Sequence, residues 1–282
     1  MAGNLFSGQY MLAAVLLLCL AGLLLYRHSR GRAQAGSLEV EVGEGEAIGD
    51  REIQEDAGNT AKTAWGTLAV LADGMGRGQA GRTAALSAVR TFINLFSDHD
   101  VTGNLYYFFN QALNRSNREV LARLQGARGR TAVAAVLISK GYLHYASVGD
   151  IKIAVCRNHE LIPLNEGHTT KTVAVKGFSQ GILNRQEALA ISQMDHATNY
   201  IGRDGFKNGE IGAVPVKLKP DDVILLMTAG IYKCLSWLEL ESVLTQPFSC
   251  RDLAGQIIGK FNGKPVTDKE NASLFVLRYH GV

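Results

Sequence analysis

Carboxylates beside apolar runs and in glycine turns are the residues of this sequence best placed to do chemistry. Glu55-Asp56 lies in Arg51-Glu52-Ile53-Gln54-Glu55-Asp56-Ala57. Asp73 lies in Leu71-Ala72-Asp73-Gly74-Met75-Gly76, after an apolar run and before a glycine-rich helix start. Asp150 follows Val148-Gly149, and Glu270-Asn271 precedes the last apolar run. A carboxylate at the tip of a buried strand is poised for a hard cation. Magnesium and manganese take oxygen ligands, usually one or two carboxylates completed by water. A neighbouring glycine lets a backbone carbonyl join, since no side chain blocks the approach. Each Asp-Gly taken alone reads first as a turn. Only convergence of several would separate the two readings, and spacing along the chain does not show convergence.

The elements that must position these acids follow from periodicity. Leu38 to Val42 alternates, and Gly66 to Ala72 is a buried apolar run. A helix is predicted from about Gln79 to Phe96, with Ala84, Ala85, Ala88, Val89, Phe92 and Ile93 on one face, and a second from about Asn104 to Leu124. The pattern then turns to period two: Thr131–Ser139, Tyr142–Ser147, Ile151–Arg157 and Glu160–Pro163 read as strands, with turns at Lys140-Gly141 and Asn158-His159. Residues 166–209 are polar and irregular, with a short helix around Arg185–Ser192, and a stretch of this kind inside a domain is usually functional. Val214–Leu218 and Val223–Thr228 return to strand, helices follow near Ser236–Leu244 and Arg251–Lys260, and Ala272–Tyr279 closes as a strand. Hairpin-connected strands with helices in pairs argue against repeated βαβ units. They predict an α+β domain, a layered αββα sandwich of two antiparallel sheets flanked by helices.

The remaining composition bounds the partners. In 282 residues, 46% hydrophobic and 20% charged, the net charge of +3 is too small to argue for nucleic acid. Cys19, Cys156, Cys234 and Cys250 form no C-x-x-C pair, which speaks against a zinc site and for reduced thiols. Seven histidines include no His-x-x-His pair. His168 and His196 are the candidates for an acid near the site, beside the plainer reading of loop histidines. Phe108, Phe109, Tyr106 and Tyr107 read as core and rim of a helix, and Arg123, Arg128 and Arg130 as a solvated basic loop or a docking patch for phosphoproteins. Tyr10 to Tyr26 carries no charge and is close to the length of a bilayer span, with Arg27, His28, Arg30 and Arg32 directly after it. The charge order predicts a single-pass membrane protein: residues 1–9 outside, a transmembrane helix at 10–26, a basic linker at 27–37, and the domain of residues 38–282 in the cytoplasm. A cleaved signal peptide ending at Ala33-Gln34-Ala35 would instead carry its positive charge before the apolar core.

Taken in order, the acidic segments resemble the metal-dependent protein phosphatases of the protein phosphatase 2C family. Arg51-x-x-x-Glu55-Asp56 is similar to its first motif, and Ala72-Asp73-Gly74-Met75-Gly76 to its Asp-Gly-x-Gly-Gly. Gly129-Arg130-Thr131-Ala132 resembles its Gly-Ser/Thr-Thr-Ala segment, and Ala146-Ser147-Val148-Gly149-Asp150 a hairpin motif that usually continues Ser-Arg. The stretch from Asp222 to Gly230 resembles a strand that ends Ser-Asp-Gly, and Glu270-Asn271 the terminal Asp-Asn. The resemblance implies Mn2+ or Mg2+, one or two ions, activating a water that attacks phosphoserine or phosphothreonine on a protein. It assigns Asp73 as the shared ligand and Gly74 as a carbonyl ligand. Glu55, Asp56 and Glu270 would lie around the ions, Arg51 would be the catalytic clamp on phosphate, and 166–209 a flap beside the site.

The departures matter as much. Ala229 stands where the family has a ligand aspartate of the second metal, and Arg77 replaces the second glycine of a glycine pair. Two functions follow from the resemblance. One is a phosphatase with an impaired or remodelled metal site. The other is a pseudophosphatase that binds a phosphoprotein or regulatory partner without turnover.

Overall fold

The structure, a computed structural model, describes residues 39–194, 196–207 and 209–281. Residues from Val40 onward cluster as one unit. The first sheet is built from β1 (Val40–Ala47), β6 (Ile151–Arg157), β7 (Glu160–Pro163), β10 (Val223–Thr228) and β11 (Ala272–Tyr279), in the order β1-β11-β10-β6-β7. The second contains β2 (Ala57–Thr63), β3 (Gly66–Gly76), β4 (Gly129–Ser139), β5 (Tyr142–Val148) and β8 (Glu210–Ile211) in chain order, with β9 (Val216–Lys217) also on β5. Every pairing is antiparallel.

Both sheets are covered on both faces, and the strands show it. In β10, Val223, Leu225 and Met227 join the apolar layer against helices, while Ile224 and Leu226 join the layer between the sheets. β4 does the same with Val133, Ala135 and Leu137 against Ala132, Ala134, Val136 and Ile138. Alternation therefore disappears from these sequences, as it must where no face meets water. On the second sheet lie α1 (Ala80–Asp98) and α2 (Leu105–Leu124), whose Phe92, Phe96, Phe108 and Phe109 are buried. The Asn104 side chain caps α2 by accepting from the Tyr107 N–H. On the first sheet lie α5 (Ala229–Cys234), α6 (Trp237–Leu244) and α7 (Cys250–Gly263). The predicted turns hold for a steric reason: Lys140-Gly141 and Asn158-His159 all have positive φ, as two-residue hairpin loops with the right twist require.

Several boundaries differ from expectation. β3 runs to Gly76, so Asp73 lies inside a strand, opposite Ala132, rather than after one. β2 carries little apolar signal (AGNTAKT) and escapes a periodicity reading. The irregular 166–209 segment contains α3 (Thr170–Ser179) before the expected helix, α4 (Arg185–Ser192). The expected strand Val214–Leu218 shrinks to β9.

The single-pass membrane localisation, with its outside N-terminus and cytoplasmic domain, is corrected. Among the described residues no helix is long and apolar enough to cross a membrane. The two longest, α1 and α2, carry Arg82 and Arg90, and Arg115, Arg118, Glu119 and Arg123, and bury only one face. The expected span at 10–26, with its flanks, lies outside the described residues.

A buried ion pair pins the start of β10. Asp222, 2% exposed, accepts from Arg157 Nε at 2.9 Å, from Arg157 Nη2 and from the Lys219 N–H at 2.7 Å. Removing Asp222 leaves Arg157, itself partly exposed, with the Lys217 carbonyl at 2.8 Å but no counter-charge. Asp222→Ala is expected to lower unfolding stability by about 1.5–3 kcal/mol, read as a shift of the urea midpoint at unchanged slope.

Candidate metal centre

The site forms where the ends of β3 and β10 meet the loop 48–56. Asp73 Oδ2 accepts from the Ala229 N–H at 3.3 Å, at the first residue of α5. Asp56 Oδ2 accepts from Thr228 Oγ1 at 3.0 Å, the last residue of β10. The Thr131 hydroxyl donates to the Asp73 carbonyl at 2.8 Å and ties β4 to the same place. The loop itself is zipped to the segment before β11. The Glu55 N–H donates to Asn271 Oδ1 at 2.8 Å, Asn271 Nδ2 donates to the Ile48 carbonyl at 2.8 Å, and Asp50 and Lys269 exchange two more bonds. Gly74 is buried with no room for a side chain. A Cβ there would lie 2.3 Å from the Glu55 carbonyl oxygen and 2.6 Å from that of Gly81. Backbone oxygens thus crowd the residue that follows Asp73.

The carboxylates feel one another. Burial pushes Asp73 well above the ordinary carboxylate range, and the charges of Asp56, Glu270 and Asp150 push it further, against the Ala229 N–H. Asp73 keeps part of its surface open to solvent, yet protein atoms surround it densely enough for desolvation to dominate. Burial raises Asp56 to about 7, opposed by the hydroxyls of Ser273 and Thr228 and reinforced by Glu270 and Glu55. Burial also raises Glu55, against the amides of Gly81 and Gly76 and the charge of Arg51.

These features test the fit of a hard cation. Two buried carboxylate oxygens, Glu55 Oε1 and Asp56 Oδ1, make no well-aligned hydrogen bond, although the Gly81 and Gly76 amides and the Ser273 hydroxyl lie close enough to favour the charged forms. An acid cluster with poorly satisfied oxygens and a raised proton affinity suits a divalent ion that takes one or two carboxylates and fills its shell with backbone oxygen and water. Among the described residues, no three His, Cys, Asp or Glu side chains form a ready chelate. Asp73, Gly74, Asp56 and Glu55 are brought together. Glu270, exposed on the 264–271 loop, reaches them by charge alone.

The other expected residues fall as follows. Arg51 is on the surface, its Nη1 2.8 Å from Asp268 Oδ1. Arg77 is exposed. His168 packs on the Gly149 turn beside Asp150, its Nδ1 accepting from the Gly149 N–H at 3.3 Å, which requires the neutral ring. Burial lowers its pKa, in keeping with that role. It also lines a cleft of about 270 Å³ in the 166–209 region, with Glu166, Thr172, Lys176, Thr198 and Glu210. Arg130 and Arg203 stack on Tyr200, at 5.0 and 5.5 Å from the ring centre. Sequence reasoning missed Thr228, Tyr232, Lys233 and Asp268. For Lys233, the signal was its place four residues after Ala229, which becomes a neighbour only once a helix starts there.

A family model for protein phosphatase 2C matches residues 46–255. The chain is 27% identical to the protein phosphatase PhpP of Streptococcus pneumoniae over 191 residues, 66% of this chain and 76% of that protein. Among solved structures it is similar to a serine/threonine phosphatase of S. agalactiae, with a TM-score of 0.76, 24% identity, and coverage of 86% of this chain and 100% of that one. It is also similar to the catalytic domain of the phosphatase PstP in complex with two manganese ions, with a TM-score of 0.67, 21% identity, and coverage of 85% and 97%. At these identities the structural likeness shows the fold.

The raised acids link site and stability. Asp56 binds its proton more tightly folded than unfolded, where its pKa is near 3.8. Its favourable contribution is present below that value and is lost as pH rises towards about 7. Metal-free protein should therefore lose stability between about pH 4 and about pH 7, by up to a few kcal/mol at roughly 1.4 kcal/mol per unit, read as a falling melting temperature, and Mn2+ should restore it at pH 8. Asp56→Asn should flatten the pH dependence in a thermal melt and shrink the Mn2+ effect.

Proposed function

The chain belongs to the protein phosphatase 2C family, and we propose that it hydrolyses phosphoserine and phosphothreonine on proteins through a remodelled metal site. The observation that carries this reading is the pair Asp73 and Asp56, anchored on the end of β10, with Glu55 beside them and two buried carboxylate oxygens without a well-aligned hydrogen bond. Asp73, with Gly74 behind it, would hold a Mn2+ or Mg2+ ion, and Glu55 and Asp56 would accept protons from its water shell. A bound ion of this kind supplies a hydroxide near neutral pH and offsets charge on the phosphoryl oxygens. Glu270 would border the site from the loop.

Arg51 would bind the phosphate. Its present partner, Asp268, is mostly exposed, and Arg51 itself is 42% exposed. An ion pair so open to water holds little energy. A phosphate dianion offers the same guanidinium a two-pronged partner, so exchange of Asp268 for substrate is favourable. Thr131 and Asn271 hold the backbone around the acids and position them.

A second reading rests on one residue. Ala229 offers its N–H to Asp73 where the family has a ligand aspartate. A domain so altered would bind a phosphoprotein or regulatory partner without turnover.

Hydrolysis of a phosphothreonine peptide by the full chain in Mn2+ separates the two. Activity should fall about 100-fold or more with Asp73→Asn, roughly 2.7 kcal/mol of barrier. A parent without turnover that still binds the phosphopeptide would establish the second reading. Arg51→Ala should raise KM and lower kcat/KM about tenfold or more, whereas Asp268→Ala should leave kcat/KM unchanged or higher.

A further inference from the structure

Position 233 sits one helical turn after Ala229 on α5. Side chains in a helix lean towards its N-terminus, so residue 233 reaches back over residue 229. Here residue 233 is a lysine, and residue 229 has only a methyl group to meet it. Lys233 Nζ lies 3.8 Å from Asp150 Oδ2 and 3.8 Å from Glu270 Oε2. Those are two of the acids whose charges raise the Asp73 pKa. They come from opposite sides of the site, Asp150 from the β5–β6 turn and Glu270 from the loop before β11. The preceding residue adds to the arrangement, with the Tyr232 hydroxyl donating to Asp150 Oδ1.

Two acids drawn together around one cationic centre are a cation site, and the cation present is part of the chain. Compared with an aspartate at 229 and a neutral side chain at 233, Ala229 and Lys233 raise the local charge by two. One charge comes from the carboxylate removed and one from the ammonium added. That equals the charge of one divalent ion.

We propose that the Lys233 ammonium, tethered to α5 beside Asp150 and Glu270, is the built-in second cation of this site, so that the chain takes one exchangeable divalent ion, at Asp73, instead of two. The inference rests on the metal-dependent reading above and deepens it. Ala229 and Lys233 then act as a coupled pair, and restoring an acid at 229 does not restore a second ion while the lysine remains.

The test is Mn2+ stoichiometry of the full chain by titration calorimetry and Mn2+ electron paramagnetic resonance, with thermal melts to confirm folding. The parent and Ala229→Asp should each bind one ion. Ala229→Asp/Lys233→Gln should bind two, the second roughly 100-fold tighter than any second ion in Ala229→Asp, because the positive charge 3.8 Å from Asp150 and Glu270 has gone. Ala229→Asp/Lys233→Arg, which keeps the charge, should return to one. Two ions in Ala229→Asp alone, or one in the Gln double variant, would overturn the role of Lys233. If Asp73→Asn still abolished binding in either case, the metal-dependent reading would stand. Absence of Mn2+ from every variant would overturn both.

Discussion

Five carboxylates within reach of one another's charge are the constraint around which this structure is organised. Asp56 and Asp73 cannot both stay ionised in a poorly solvated place without help, and burial alone pushes both towards the protonated form. The fold supplies part of that help through the Thr228 hydroxyl and the Ala229 N–H, while the Lys233 ammonium lies beside the neighbouring acids Asp150 and Glu270. The hydroxyl, the N–H and the ammonium all come from one eleven-residue stretch, residues 223–233, that passes from strand to helix. The strand in this stretch, β10, is held at both ends. Arg157 and Asp222 fix one end of β10, and the acids crowd the other.

The departure at Ala229 has a structural counterpart as well as a chemical one. An aspartate there would add a sixth negative charge against Asp73. Alanine keeps the backbone N–H that Asp73 uses and removes the repulsion, which lowers the cost of the metal-free state. Under the function proposed above, the exchange would give up metal affinity for tolerance of an absent ion. At the rim a loop acid, Asp268, occupies the Arg51 guanidinium that the proposed function assigns to phosphate.

Much of this was legible in the residues. Long elements with both faces buried, such as β4 and β10, declare themselves as apolar runs, and the hairpin turns at Lys140-Gly141 and Asn158-His159 follow from which residues tolerate positive φ. β2 was illegible because a strand of Ala, Gly, Asn, Thr and Lys owes its place to its neighbour β3 and not to its own pattern. α5 was illegible because six residues are too few to show a helical period. Lys233 was lost with it. The acids themselves were visible as types, but Asp50, Asp268 and Glu270 look alike in sequence. Only the zip between loop 48–56 and the segment before β11 decides that Glu270 faces the site while Asp268 faces Arg51.

That zip has a consequence for the order in which the molecule can be made. β1 has β11 as its sheet neighbour, and the Glu55 amide is held by Asn271, 216 residues later. During synthesis the early strand and the loop carrying Glu55 and Asp56 must wait, without their final hydrogen-bonding partners, until Asn271 and β11 have left the ribosome. Pairings this distant close slowly. The acids therefore come into register only once β11 has been made and is free to dock, and before that point Glu55 and Asp56 lack the partners that fix them beside Asp73.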